Sequence, residues 1–204
     1  MSSKIVLYFD CVSPWSYIAF QVLRRYRATW GVQLEFQPRS LAYVMKFSQN
    51  SPPITVPNKG AHMMNQLSSV DRMYGLKLRF PASFPFDTFP VMGLLRTVQA
   101  ECPDRLEEMI EASFQYIWRD GHSVKSEEDL KDLASRCFQG DQLSSLIKKA
   151  YARDTRALLK AESEQLVENG AFGFPFGVEQ LERLAAFLHK PYLGPMADGT
   201  TPRL

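Results

Sequence analysis

Ser13 stands where the apolar run Ile5-Val6-Leu7-Tyr8-Phe9 empties, through Asp10-Cys11-Val12, into Ser-Pro at the head of an amphipathic stretch. A serine at a helix N-cap can turn its hydroxyl toward a ligand, a proline at the first helical position forfeits no hydrogen bond, and the helix dipole favours an anion there. Such a place suits a thiolate. Ser13-Pro14-Trp15-Ser16 has the spacing of a Cys-Pro-x-Cys redox motif with oxygen in place of both sulfurs. That exchange removes disulfide chemistry and keeps the anion site. Taken alone, the same residues read first as an ordinary helix cap. A serine acting as nucleophile would need a base, and the local sequence offers none.

The other chemistry-bearing residues are scattered. Cys11, Cys102 and Cys137 are odd in number and contain no Cys-x-x-Cys pair, which implies neither a disulfide framework nor a zinc site and fits a reducing compartment. His62, His122 and His189 are isolated from carboxylates at ligand spacing, so no metal is expected. Phe80, Phe84, Phe86, Phe89, Met63, Met64, Met73 and Met92 form a cluster whose ordinary role is core packing. Its other reading is a wall of a hydrophobic substrate pocket beside the thiolate site. The net charge is +2, with acids and bases interspersed and no basic block, which excludes phosphate tracking and leaves no nucleic-acid partner. No run approaches the roughly 20 apolar residues that span a bilayer, and no signal-peptide core follows Met1, so a soluble intracellular chain without membrane insertion is expected.

The elements that must position Ser13 follow from periodicity. Residues 5–9 are apolar without alternation, which predicts a buried central parallel strand. From Pro14, Trp15, Ile18, Ala19, Val22, Tyr26 and Trp30 recur at helical spacing, with Arg24, Arg25 and Arg27 on the other side and Gly31 as the stop. Residues 32–37 alternate with period two up to Pro38, which predicts a second strand and completes a right-handed βαβ unit. Residues 39–58, rich in proline and polar residues, read as a loop near the start of the first helix. Helices are predicted over about 60–74, 90–101, 104–119 and 126–138, the last behind a Ser126-Glu127-Glu128-Asp129 capping box. Another opens at Asp141, and a long one reaches Glu168 before Asn169-Gly170. The organisation is an α/β unit interrupted by an all-helical insertion.

Four ordered blocks then carry a resemblance over nearly the whole chain. They are Tyr8-Phe9-Asp10 with Ser13-Pro14; Asn50-Ser51-Pro52-Pro53 with Pro57-Asn58-Lys59-Gly60; Gly170-Ala171-Phe172-Gly173-Phe174-Pro175; and Leu193-Gly194-Pro195. The chain resembles the kappa-class glutathione transferases, with the bacterial 2-hydroxychromene-2-carboxylate isomerases as close relatives. The resemblance implies a thioredoxin-like domain with an inserted all-helical domain: residues 1–60 and 169–204 form the former, and 61–168 the latter. It implies that glutathione, as co-substrate and without a metal, lies across the thioredoxin site with its sulfur near Ser13, which donates to the thiolate. Pro14 and Trp15 would line the sulfur end, Asn50 would bind the tripeptide, and Lys59 would help a carboxylate. Phe174-Pro175 would be the cis-proline pair whose backbone meets the cysteinyl part. Backbone N–H groups of Val178 and Glu179 would meet the γ-glutamyl end, Glu179 standing where the family has Asp.

The implied activity is transfer of glutathione to small hydrophobic electrophiles, aromatic or peroxide-bearing. The alternatives are a glutathione-dependent cis-trans isomerase and an inactive variant acting as a binding or scaffold protein. The family also implies a homodimer in mitochondria or peroxisomes, and Pro202-Arg203-Leu204 resembles a weak Ser-Lys-Leu type address. One departure is large. Between Pro175 and Phe176 about one short hairpin of the thioredoxin order is missing. Its loss would leave residues 5–9 with an uncovered edge. An alternatively spliced or misassembled chain, a strand stub at 172–176, and a dimer partner over the edge are the three accounts of it.

Overall fold

The computed structural model describes residues 3–175 and 181–194, with the backbone alone at 181 and 182. Strands β1 (Lys4–Phe9) and β2 (Gln33–Pro38) flank helix α1 (Pro14–Trp30). They pair in parallel, from Lys4 opposite Gln33 to Phe9 opposite Pro38. Among the described residues the sheet has these two strands only. Its inner face carries Leu7, Phe9 and Phe36, and Phe20 of α1 lies 5.0 Å from Phe36 and 5.5 Å from Phe114, ring centre to ring centre.

β1 departs from the expectation of a strand buried on both faces. Val6 and Tyr8 are each 36% exposed, with that side of the strand only partly covered, the Arg39 guanidinium lying 5.9 Å from the Tyr8 ring centre. On the β2 side of this face, opposite Val6 and Tyr8, stand the polar Glu35 and Gln37. α1 also differs from a one-sided amphipathic helix. Tyr17, Phe20 and Leu23 are buried along with the expected stripe, and the arginines are not merely solvated. Arg24 pairs with Glu107 and Glu111, Arg27 with Glu107, and Arg25 donates to the Tyr74 carbonyl, so the polar side of α1 is tied to the insertion. Gly31 ends the helix at φ 60°, a left-handed turn for which glycine carries no side-chain penalty.

The expected loop at 39–58 contains structure. Ser40 caps a short helix, α2 (Leu41–Phe47), by accepting from the Tyr43 N–H, and a 3₁₀ turn at Pro53–Thr55 precedes α3 (Pro57–Tyr74). Seven residues are too few to display a helical period, which is why α2 is invisible in the sequence pattern. The expected domain division at residue 60 falls inside α3. The insertion continues with α4 (Phe89–Glu101), α5 (Leu106–Phe114), α6 (Glu127–Ser135), α7 (Gly140–Ala150) and α8 (Arg153–Glu168). The predicted helix over 104–119 is a composite, a 3₁₀ turn at Pro103–Arg105, α5, and a π-helical turn at Gln115–Arg119. The capping box before α6 forms in both directions.

α9 (Leu181–Phe187) is followed by a segment docked on α1. The Trp30 indole donates to the Pro191 carbonyl at 2.8 Å, and the Tyr26 hydroxyl donates to Gly194 and accepts from the Leu193 N–H. Residues 171–175 form a bend and no strand.

Candidate functional site

The site grows from the loop between β1 and α1. The Ser13 N–H donates to the Asp10 carbonyl at 3.1 Å, closing a tight turn that turns the chain from strand to helix. As N-cap of α1, the Ser13 Oγ accepts from the Ser16 N–H at 3.3 Å and donates to the Phe174 carbonyl at 3.2 Å. Its hydroxyl is therefore aimed at the segment that precedes Pro175. The Phe174–Pro175 bond is cis, as the resemblance implies. Ser13 is 5% exposed and lines a cavity of about 690 Å³. No acidic residue occupies the first turn of α1, so nothing on that helix competes with an anion at its head.

The cavity brings together Ser13, Pro14, Trp15, Asn50, Lys59 and Phe174-Pro175, residues up to 162 positions apart in the chain. Lys59 is the one basic side chain among its described lining residues. Asn50 does more than face the cavity: its Nδ2 donates to the Phe172 carbonyl at 2.8 Å, and its Oδ1 accepts from the Ser51 N–H. It thereby links the Ser48–Pro53 loop to the segment leading into the cis-proline. Val178 and Glu179 lie outside the described residues. A second hollow of about 530 Å³ adjoins the first, shares Trp15, Lys59 and Pro175 with it, and adds Asn58, His62 and Gln66.

Part of the cavity wall is aromatic. Phe84, Phe86, Phe89 and Met63 of the phenylalanine and methionine cluster line the cavity, joined by Met45. Met92 is fully buried core, while Met64 and Met73 lie 41% and 46% exposed. The Phe84–Pro85 bond is also cis, and the Phe84 ring rests against Trp118 at 5.5 Å. Cys11 is fully buried and its thiol is pushed well up by desolvation, so it offers no thiolate of its own.

Three residues of the site receive no role in it from the sequence. Asp10 is 1% exposed and, like Thr88, is among the residues that line the cavity. Oδ1 accepts from the Val12 N–H at 2.9 Å and from the Thr88 hydroxyl at 2.7 Å, and Oδ2 accepts from the Leu41 N–H at 2.8 Å. Burial holds this carboxyl above its ordinary range, against the pull of those three donors. Trp118, in the π-helical turn, donates its indole N–H to the Cys11 carbonyl at 2.8 Å. The sequence signal for Asp10 is a charged residue directly after an apolar strand and three residues before Ser13. Thr88 and Trp118 carry no such signal, since only the fold of the insertion brings them to the loop.

Known proteins share this organisation along their length. The chain is similar to human glutathione S-transferase kappa 1, 26% identical over 219 aligned positions that cover 98% of this chain and 97% of the relative. The alignment is longer than the 204-residue chain, so it holds gaps on this side. It is likewise similar to 2-hydroxychromene-2-carboxylate isomerase of Sphingobium xenophagum, 24% identical over 92% of this chain and 99% of the relative. A solved 2-hydroxychromene-2-carboxylate isomerase has the same fold, with a TM-score of 0.78 over 91% of this chain and 94% of that one at 19% identity. The family model for the DsbA-like thioredoxin domain matches residues 4–184, and this chain belongs to that family.

Proposed function

We propose that the chain is an enzyme, a glutathione transferase that stabilises the glutathione thiolate and adds it to a small hydrophobic electrophile. The observation that carries this reading is the Ser13 hydroxyl, held at the head of α1 against the cis Phe174–Pro175 pair at the wall of a cavity. A free thiol titrates near 8.5, so a hydroxyl donor and a helix N-terminus that favour the anion raise the nucleophile's abundance at neutral pH. The Ser13 proton rests on the Phe174 carbonyl. When a sulfur arrives, the hydroxyl turns to it and the carbonyl is released to accept the cysteinyl N–H. The thiolate then forms a carbon–sulfur bond with an electrophile held against Phe84, Phe86 and Phe89, and the leaving group departs or the adduct takes a proton from solvent. Pro14 and Trp15 shape the sulfur end, and Lys59 pairs with a glutathione carboxylate.

Full-length similarity to proteins named glutathione S-transferase kappa supports the transferase over the isomerase, which would use the same thiolate for reversible addition. Product analysis separates them, because isomerisation consumes no glutathione. The direct test measures melting with and without millimolar glutathione and conjugation by the wild type and Ser13→Ala. A well-folded chain with neither a thermal shift nor turnover would leave a scaffold protein as the better reading. The same proposal includes a homodimer, checked by sedimentation. It also includes a mitochondrial or peroxisomal location, checked by imaging the tagged chain with and without Pro202-Arg203-Leu204.

A further inference from the structure

The loop that carries Ser13 is held at two consecutive residues by groups from elsewhere in the chain. At Cys11 the carbonyl receives the Trp118 indole N–H, and the N–H meets the Met92 sulfur at 3.4 Å. At Asp10 the side chain reaches further. Its two oxygens join the Val12 N–H of the same loop, the Leu41 N–H at the start of α2, and the Thr88 hydroxyl at the head of α4. α2 leads into the loop bearing Asn50, and α4 begins at Phe89 of the aromatic wall. One carboxylate thus fixes the thiolate-facing loop, the Asn50 arm and the substrate wall relative to one another.

A buried anion beside a thiolate site is costly on electrostatic grounds alone, since like charge disfavours the thiolate. Its presence there needs a geometric benefit that outweighs this. We infer that Asp10 is a positioning residue for Ser13, holding the hydroxyl in place by tying its loop to the starts of α2 and α4. The inference rests on the glutathione reading above. Asparagine cannot take over the role. With its oxygen toward Val12 and Thr88, its amide N–H opposes the Leu41 N–H; reversed, it opposes the Val12 N–H, and in either pose a buried backbone donor loses its acceptor.

The two possible actions of Asp10 have opposite signs, and this makes the inference testable. If Asp10 acted mainly through its charge, Asp10→Asn would increase the fraction of bound glutathione present as thiolate. If it acts by positioning, that fraction falls about tenfold below the thiol's titration midpoint, as the Ser13 donor is misplaced. The readout is the ultraviolet absorbance of the thiolate in the full-length chain with saturating glutathione, followed across pH. Conjugation kcat falls with it, while KM for glutathione, set largely by contacts away from the sulfur, changes less than kcat. Thr88→Val gives a smaller loss in the same direction, and Thr88→Ser restores the wild-type profile. An unchanged or increased thiolate fraction in Asp10→Asn overturns the inference. If Asp10→Asn fails to fold, an unchanged profile in Thr88→Val overturns it instead. A wild-type chain without any thiolate signal overturns the glutathione reading and this inference together, which distinguishes that failure from a failure of Asp10 alone.

Discussion

At the scale of single residues, the two parts of Ser13 are told apart by different readouts of one mutation. Its oxygen caps α1 and, in the proposed role, its proton is offered to a sulfur, so Ser13→Ala removes both. The lost cap costs about 1 kcal/mol of stability, read from a urea titration. The lost donor costs more in rate, with conjugation expected to fall roughly 10- to 100-fold in steady-state assays. Asp10 has a signature in pH. Its folded-state pKa lies above the unfolded value, so the folded chain holds that proton more tightly. The stability it contributes is present below the unfolded pKa near 3.8 and is lost as pH rises through the folded value. Asparagine has no such dependence. The stability margin of the wild type over Asp10→Asn is therefore expected to shrink as pH climbs from about 3.8 through the carboxyl's raised value. Urea midpoints taken across that range check the sign.

At the scale of elements, the parts of the site that one segment carries were legible in advance. Strand, Ser-Pro cap and helix, with Gly31 as the stop, are a local matter of period and capping. The aromatic wall was open to two readings because phenylalanine has the same composition signal in a core as in a pocket. Only the packing of the insertion decides that Phe84, Phe86 and Phe89 face space and Met92 does not. The clamp on Asp10 was beyond sequence reasoning for a similar reason, since its partners lie 31 and 78 residues away. Within the insertion, α4 crosses α7 at Gly93, where an added Cβ would overlap the Ala150 carbonyl oxygen. That obstacle is backbone and cannot swing aside. Gly93→Ala is expected to destabilise the chain by about 1–3 kcal/mol, visible as a lowered melting temperature, through separation of the two helices.

At the scale of the whole molecule, the sheet is the slender part. Two parallel strands are marginal by themselves, so the helices packed on their inner face hold them in place. Val6 and Tyr8 show apolar surface on the other face of β1, and no described strand pairs with its outer edge. An exposed apolar strand of this kind promotes association. Val6→Lys is expected to leave the melting temperature within about 0.5 kcal/mol of wild type in free-energy terms, as an exposed substitution does, while reducing light scattering on warming. Scattering that is unchanged by the substitution would place any association elsewhere on the surface.

The chain's three tryptophans stand at three separate stations. Trp30, under the docked C-terminal segment, and Trp118, behind the Ser13 loop, are each 1% exposed or less, whereas Trp15 is partly exposed on the wall shared by both hollows. Emission from this protein therefore comes from two shielded indoles and one on the cavity wall. A change in colour or intensity on adding glutathione should vanish in Trp15→Phe, giving the site an optical reporter that needs no label.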